Sequence, residues 1–194
     1  MSVAADDSRK TQILDAALEK FLTYGVAKTS MADIAGEAGV SRPALYLHYA
    51  NKEAIFSACI ERVLDRATTA ALAALHNPGS VAEQLDGYLQ RAVGDLTEHL
   101  RRSHGLDLIE AKTGYAKDVF ERDLRRTRKG LMAFLRAAAG PNVDAPTLTA
   151  WVDLLKLSPK GFKTDDPSIR TYRRRLLSLA VLVALDVERV AAHH

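Results

Sequence analysis

Apolar side chains recur along most of this chain at spacings of three and four residues. No segment alternates apolar and polar residues with the period of two that a half-buried strand needs. Ile13, Leu14, Ala17, Leu18, Phe21 and Leu22 form one such stripe, which predicts a helix from about Ser8 to Tyr24, stopped by Gly25. Ser30 is placed to cap a second helix ending near Ala38, with Asp33 at the capping-box position. Gly39 supplies a turn, and Ser41 caps a third helix whose first turn tolerates Pro43, because the opening N–H groups of a helix have no intrahelical partner. Asn51 caps a fourth, long helix that runs to the break at Asn77-Pro78-Gly79.

Longer helical patterns follow. They run from Ser80 to about Ser103, through a shorter element near Gly105 to Gly114 carrying Leu106, Leu108 and Ile109, and from Tyr115 to Ala139, stopped by Gly140-Pro141. A further helix is expected from Pro146 to about Leu157. "SPKGFKTDDP" then reads as a loop, and a last helix has Pro167 at or near its first position. The expected fold is therefore all-α with about nine helices. Residues 1–52 form a three-helix helix-turn-helix domain, and residues 53–194 form a larger helical body for ligand binding and dimerisation. No Gly- or Ser-rich linker separates them, so the fourth helix would couple the two rather than tether them.

The helix-turn-helix reading rests on residues 30–52. Ile34, Ala35, Ala38, Val40 and Leu45 fill inner positions around the Gly39 turn, the spacing at which a second helix enters the major groove of DNA. At about 100° per residue, Leu45 and Tyr49 face the core, Pro43, Ala44 and Leu47 face away, and Tyr46 and His48 flank them. The outward face thus carries small and apolar residues and hydrogen-bonding rings where a solvated face would carry Lys, Glu or Gln. Pro43, Ala44 and Leu47 suit thymine methyl groups, and Arg42 suits guanine. Tyr46 and His48 suit phosphate oxygens. Lys52 opposes the macrodipole of the fourth helix unless an anion sits there, and Ser30 at the second helix start suits another phosphate. Ser41 belongs to the same candidate DNA-binding set.

Charge adds a constraint. The net charge is +3, yet residues 1–50 carry five Lys or Arg against six Asp or Glu, so DNA would be met by placed groups and not by a basic cloud. The single cysteine, Cys59, rules out an internal disulfide framework and fits a reducing cytoplasm. No apolar run reaches the roughly 18 residues that span a bilayer, and the N-terminus lacks a secretory pattern. A cytoplasmic location without membrane contact is expected. No phosphate loop, nucleophile elbow or metal-binding histidine pair is present, so neither an enzyme nor a cofactor or metal site is expected.

"ILDAALEKFLTYG" followed by "TSMADIAGEAGVSRPALYLHYANKEAIF" resembles the N-terminal domain of tetracycline-repressor (TetR) type transcriptional regulators over about residues 9 to 56. Ile34-Ala35, Ala38 to Ser41, Leu45-Tyr46, His48 and Asn51-Lys52-Glu53 carry the likeness. Tyr49, where the family usually has phenylalanine, and Ala44 depart from it. The resemblance implies base contacts from Arg42, Pro43, Ala44 and Leu47, and phosphate contacts from Ser30, Tyr46, His48 and Lys52. It further implies a homodimer built from the last two helices and an effector pocket in the body. The final helix is apolar nearly all round from Leu176 to Leu185, which independently favours a partner chain, with Leu176, Leu179 and Val183 as interface candidates. Candidate effector contacts are Tyr88, Leu96, His99, Phe120, Phe134 and Trp151. The expected function is a repressor released from a palindromic operator by a small molecule. An activator or ligand-independent DNA-binding protein stays open, as does, further off, a helical ligand-binding or enzyme module with a scaffold helix-turn-helix.

Overall fold

The computed structural model describes residues 3–101 and 116–193, and every regular element among them is helical. These are α1 (Val3–Tyr24), α2 (Met31–Glu37), α3 (Arg42–His48), α4 (Lys52–Ala74), α5 (Val81–Leu89), a π-helical segment (Gln90–Gly94), α6 (Asp95–Arg101), α7 (Lys117–Ala139), α8 (Ala145–Gly161) and α9 (Ile169–Ala192). The element expected around Leu106, Leu108 and Ile109 lies outside the described residues, as does the side chain of His99.

The chain forms two compact units, residues 1–64 with 99–121, and residues 65–98 with 122–194. The division falls inside α4, between Leu64 and Asp65. Ile55, Phe56 and Cys59 are buried in the core of the first unit, with Phe21 and Phe56 meeting edge-on at 5.6 Å. Burial pushes the Cys59 thiol up to about 12, so it behaves as a small apolar residue.

In the first unit, Ile13, Ala17 and Phe21 of α1 and Ile34, Ala35 and Leu45 of α2 and α3 share one core, as the stripe pattern predicts. Gly25 and Gly39 adopt φ of +78° and +61°, so the two reversals of the chain need glycine where they stand. The α2 cap is a full capping box: Asp33 N–H donates to Ser30 Oγ, and Asp33 Oδ2 accepts from Ser30 N–H at 2.8 Å. These Ser30 bonds hold the Asp33 carboxyl below its usual range. Their contribution is therefore present above the ordinary carboxylate pKa and is lost as pH falls through the depressed one.

The core of the second unit is built from Leu75, Leu85, Leu131, Leu135, Trp151, Leu155, Tyr172 and Leu176 with their neighbours. Two sequence expectations are corrected here. α8 does not stop near Leu157 but continues through Pro159 to Gly161, because Pro159 is buried and its carbonyl accepts from Tyr172 Oη. Pro167 is not at the first position of α9. It is buried just before Ser168, whose Oγ accepts from Thr171 N–H and caps the helix. The π-helical segment within the stretch read as one helix from Ser80 was also not foreseen. A Cβ at Gly94 there would lie 2.9 Å from Gln90 Oε1, so the end of the Gln90 side chain would have to shift to admit one.

Leu176, Leu179 and Val183 were expected at a dimer interface. All three are buried within their own chain, because they form the stripe of α9 that closes this core. Leu176→Ala is expected to lower unfolding free energy by about 2–5 kcal/mol, measured by denaturant titration.

Candidate nucleic-acid interface

α2, the Gly39 turn and α3 form the helix-turn-helix. Val40 N–H donates to Ala35 O at 3.0 Å and Ala38 N–H to Ile34 O at 2.9 Å, which ends α2 and turns the chain. Ser41 Oγ accepts from Ala44 N–H and starts α3, with Pro43 inside its first turn. Leu45 is completely buried beneath the helix. The opposite side of α3 is open: Leu47 is 86% exposed and Tyr46 48% exposed. Ser41, Arg42 and Pro43 are exposed, and Ala44 is half-buried. Tyr49 is half-buried against the core, as expected for the inner face.

The cations of this unit divide in two. Lys10 pairs with Asp6 at 2.6 Å, Lys20 with Glu37 at 2.6 Å and Arg62 with Asp15 at 2.5 Å. Arg42 is exposed and, among the described residues, has no carboxylate partner. Its fork of donors therefore remains available to a base edge or phosphate.

Three residues expected at phosphate have other partners. The Lys52 ammonium donates to the carbonyls of Val26 (2.9 Å), Ala27 (3.2 Å) and Thr29 (3.1 Å). Its three N–H groups thus satisfy the backbone of the turn after α1, which explains a cation at the N-terminus of α4 without an anion. His48 is largely covered, with its side chain 11% exposed, and its Nδ1 lies 3.5 Å from Asp6 Oδ1, so its ring joins α3 to α1. Ser30 Oγ gives its proton to Asp33 Oδ2 at 2.6 Å within the capping box. The exposed side chains at the start and outer face of α3 are Ser41, Arg42, Pro43, Tyr46 and Leu47, with Ala44 half-buried between them.

Lys52→Met tests this reassignment. Stability should fall by about 1–3 kcal/mol, since the turn carbonyls lose a charged donor. The salt dependence of DNA binding by the folded variant should keep its slope, because no phosphate contact is removed. Denaturant titration and binding at several salt concentrations read the two effects.

Tyr88 and Trp151 are buried in the core of the second unit, and Phe134 packs against it half-buried. Leu96 is half-buried. Phe120 packs half-buried on the core of the first unit with Ala116 and Val119. Trp151 Nε1 donates to Asp186 Oδ2 at 2.9 Å, and this bond, with Arg189, holds the Asp186 carboxyl low.

The large apolar side chains that α8 and α9 leave in solvent were missed. They are Leu154 and Leu157, and Leu177, Val181, Leu182 and Leu185. Leu177, Val181 and Leu185 recur at intervals of four, a signal visible in the sequence one position away from the stripe chosen there. Among the described residues no helix is long and apolar enough to cross a membrane, and no cluster of metal-binding side chains occurs.

A buried helix-turn-helix core beneath an open α3 face defines a protein of the DNA-binding helix-turn-helix class. The family described as bacterial regulatory proteins, tetR family, matches residues 13–59. The transcriptional activator FasR of Mycolicibacterium smegmatis is 33% identical over 182 residues, covering 94% of this chain and 70% of FasR. The transcriptional regulator TtgR of Pseudomonas putida is 44% identical over 52 residues, 27% of this chain and 25% of TtgR. A TetR-family regulator structure from Mesorhizobium loti has a TM-score of 0.69 at 16% identity, covering 94% of this chain and 97% of that one, and shares the fold. This chain belongs to the tetR family of bacterial regulatory proteins and is a DNA-binding transcriptional regulator.

Proposed function

We propose that the protein acts as a homodimer that holds a palindromic operator with two copies of α3 and releases it when a small molecule binds the helical body. The open α3 face carries this reading: Arg42 without a carboxylate partner, beside Pro43, Tyr46 and Leu47, over a completely buried Leu45. In this reading Arg42 takes a guanine edge, Pro43, Ala44 and Leu47 meet thymine methyl groups, and Tyr46 and the Ser41 hydroxyl take phosphate. The apolar residues exposed on α8 and α9 supply the contact between copies, a self-complementary patch of the kind a two-fold dimer uses.

α4 is the coupling element. It starts at the Asn51 cap, whose Oδ1 accepts from Ala54 N–H at 2.8 Å, and near its other end Ala71 lies in the core of the second unit. A ligand that favours a tilted α4 would change the separation of the two α3 helices, so that both half-sites can no longer be met together. Occupying an operator in this way represses by occlusion. Activation is a second reading, favoured by the likeness to FasR over most of the chain.

Linkage supplies the test. A ligand that weakens DNA binding must itself be weakened by operator DNA to the same factor. Calorimetric titration of ligand with and without operator reads that factor. Equal ligand affinity in both arms removes the release mechanism.

A further inference from the structure

A polar cluster lies within the second unit. Thr68 of α4, Tyr88 of α5, Asp123 and Thr127 of α7 and Lys156 of α8 send side chains to it from four helices. Thr68, Tyr88 and Thr127 are all buried. Thr68 Oγ1 donates to Asp123 Oδ1 at 2.5 Å. Thr127 Oγ1 gives its proton to the carbonyls of Asp123 (2.9 Å) and Leu124 (3.1 Å) and accepts from the Lys156 ammonium, with the Tyr88 hydroxyl as a further hydrogen-bonding neighbour.

Lys156 is the unusual member. Arg126, Arg128, Arg173, Arg175 and Arg189 of the same unit each have a carboxylate oxygen at 2.5 to 2.9 Å. The Lys156 ammonium has a neutral hydroxyl and, among the described residues, no carboxylate within ion-pairing distance. Burial lowers its pKa, with the more distant Asp123 carboxylate opposing that shift and Arg128 adding to it. Two of its three N–H groups are left to an outside acceptor, and a cation so placed is costly unless something pairs with it. One helical turn away on the same helices stand Leu131 and Val152, both buried and apolar.

Building on the effector reading above, we propose that Lys156, with Tyr88 and Thr127, is the recognition point for the acidic head of an effector, a monocarboxylate whose remainder is apolar. The carboxylate takes the two open ammonium N–H groups as charge-assisted hydrogen bonds. Asp123 stays with Thr68 and fixes the floor of the site.

The test titrates the full-length protein with straight-chain monocarboxylates from butanoate to hexadecanoate and with the matching primary alcohols. Calorimetry measures binding, and the same compounds are added to the operator complex. At least one carboxylate should bind at least about tenfold more tightly than its alcohol, Lys156→Met should remove that preference, and Lys156→Arg should restore part of it. Circular dichroism establishes that both variants are folded. Absence of carboxylate binding to the wild type, or a preference that survives Lys156→Met, overturns the assignment. Carboxylate binding at Lys156 that leaves the operator complex intact retains the site and removes the effector reading. Release by alcohols that ignores Lys156→Met does the reverse.

Discussion

Replacing Arg42 and Tyr46 together by alanine is expected to abolish specific DNA binding in a protein that remains folded. Each side chain lies on the open face of α3, and neither fills the core, which depends on Leu45 from this helix. A good base contact is worth about 1–3 kcal/mol, so each single change should cost roughly ten- to a hundredfold in affinity. The Arg42 change should also relax discrimination at one base pair. The Tyr46 change should weaken all sequences evenly, as expected of a phosphate contact. Stability should move by less than about 0.5 kcal/mol in either case. Fluorescence anisotropy with an operator duplex, set beside a denaturant titration, reads both quantities. Loss of affinity accompanied by loss of fold would remove the argument.

Placing glutamate at both Leu182 and Leu185 is expected to convert the protein into a monomer. These side chains are 66% and 58% exposed in the single chain, so charge there costs little within one copy. Buried against a second copy, the same carboxylates lose water to an apolar surface and repel the partner's introduced carboxylates, which prevents association. The monomer loses the gain from binding two half-sites at once, which for linked sites is about 10²- to 10⁴-fold. Sedimentation measures the oligomeric state and anisotropy the affinity. Leu176→Ala, inside the chain's own core, should instead destabilise the fold, so the two sides of α9 respond differently.

The contrast between those two sides locates what the sequence could convey. Periodicity identified the long helices among the described residues, and Ser30, Ser41 and Asn51 placed the starts of α2, α3 and α4, because both signals are local in the chain. The direction of the α3 face was equally legible, since Leu45 inside and Leu47 outside follow from helical geometry alone. What stayed hidden depends on partners far along the chain. Lys52 reads as a cation at the wrong helix end until Val26, Ala27 and Thr29 come within reach, more than twenty residues away. His48 meets Asp6 across a still wider gap of about forty residues. On α9 the pattern was apolar on several sides. Periodicity could not say which stripe faced the chain's own core and which faced outward. In the body, Phe120 and Tyr88 look alike as buried aromatics, yet they belong to different units.

Selection of bound duplexes from a random pool by the full-length protein tests the central claim most directly. The expected result is an enriched palindrome with two half-sites, bound by one dimer, whose enrichment disappears when Arg42 and Tyr46 are alanine. Recovery of no preferred sequence, or of the same sequence by the doubly substituted protein, would contradict the assignment of α3 as the reading helix.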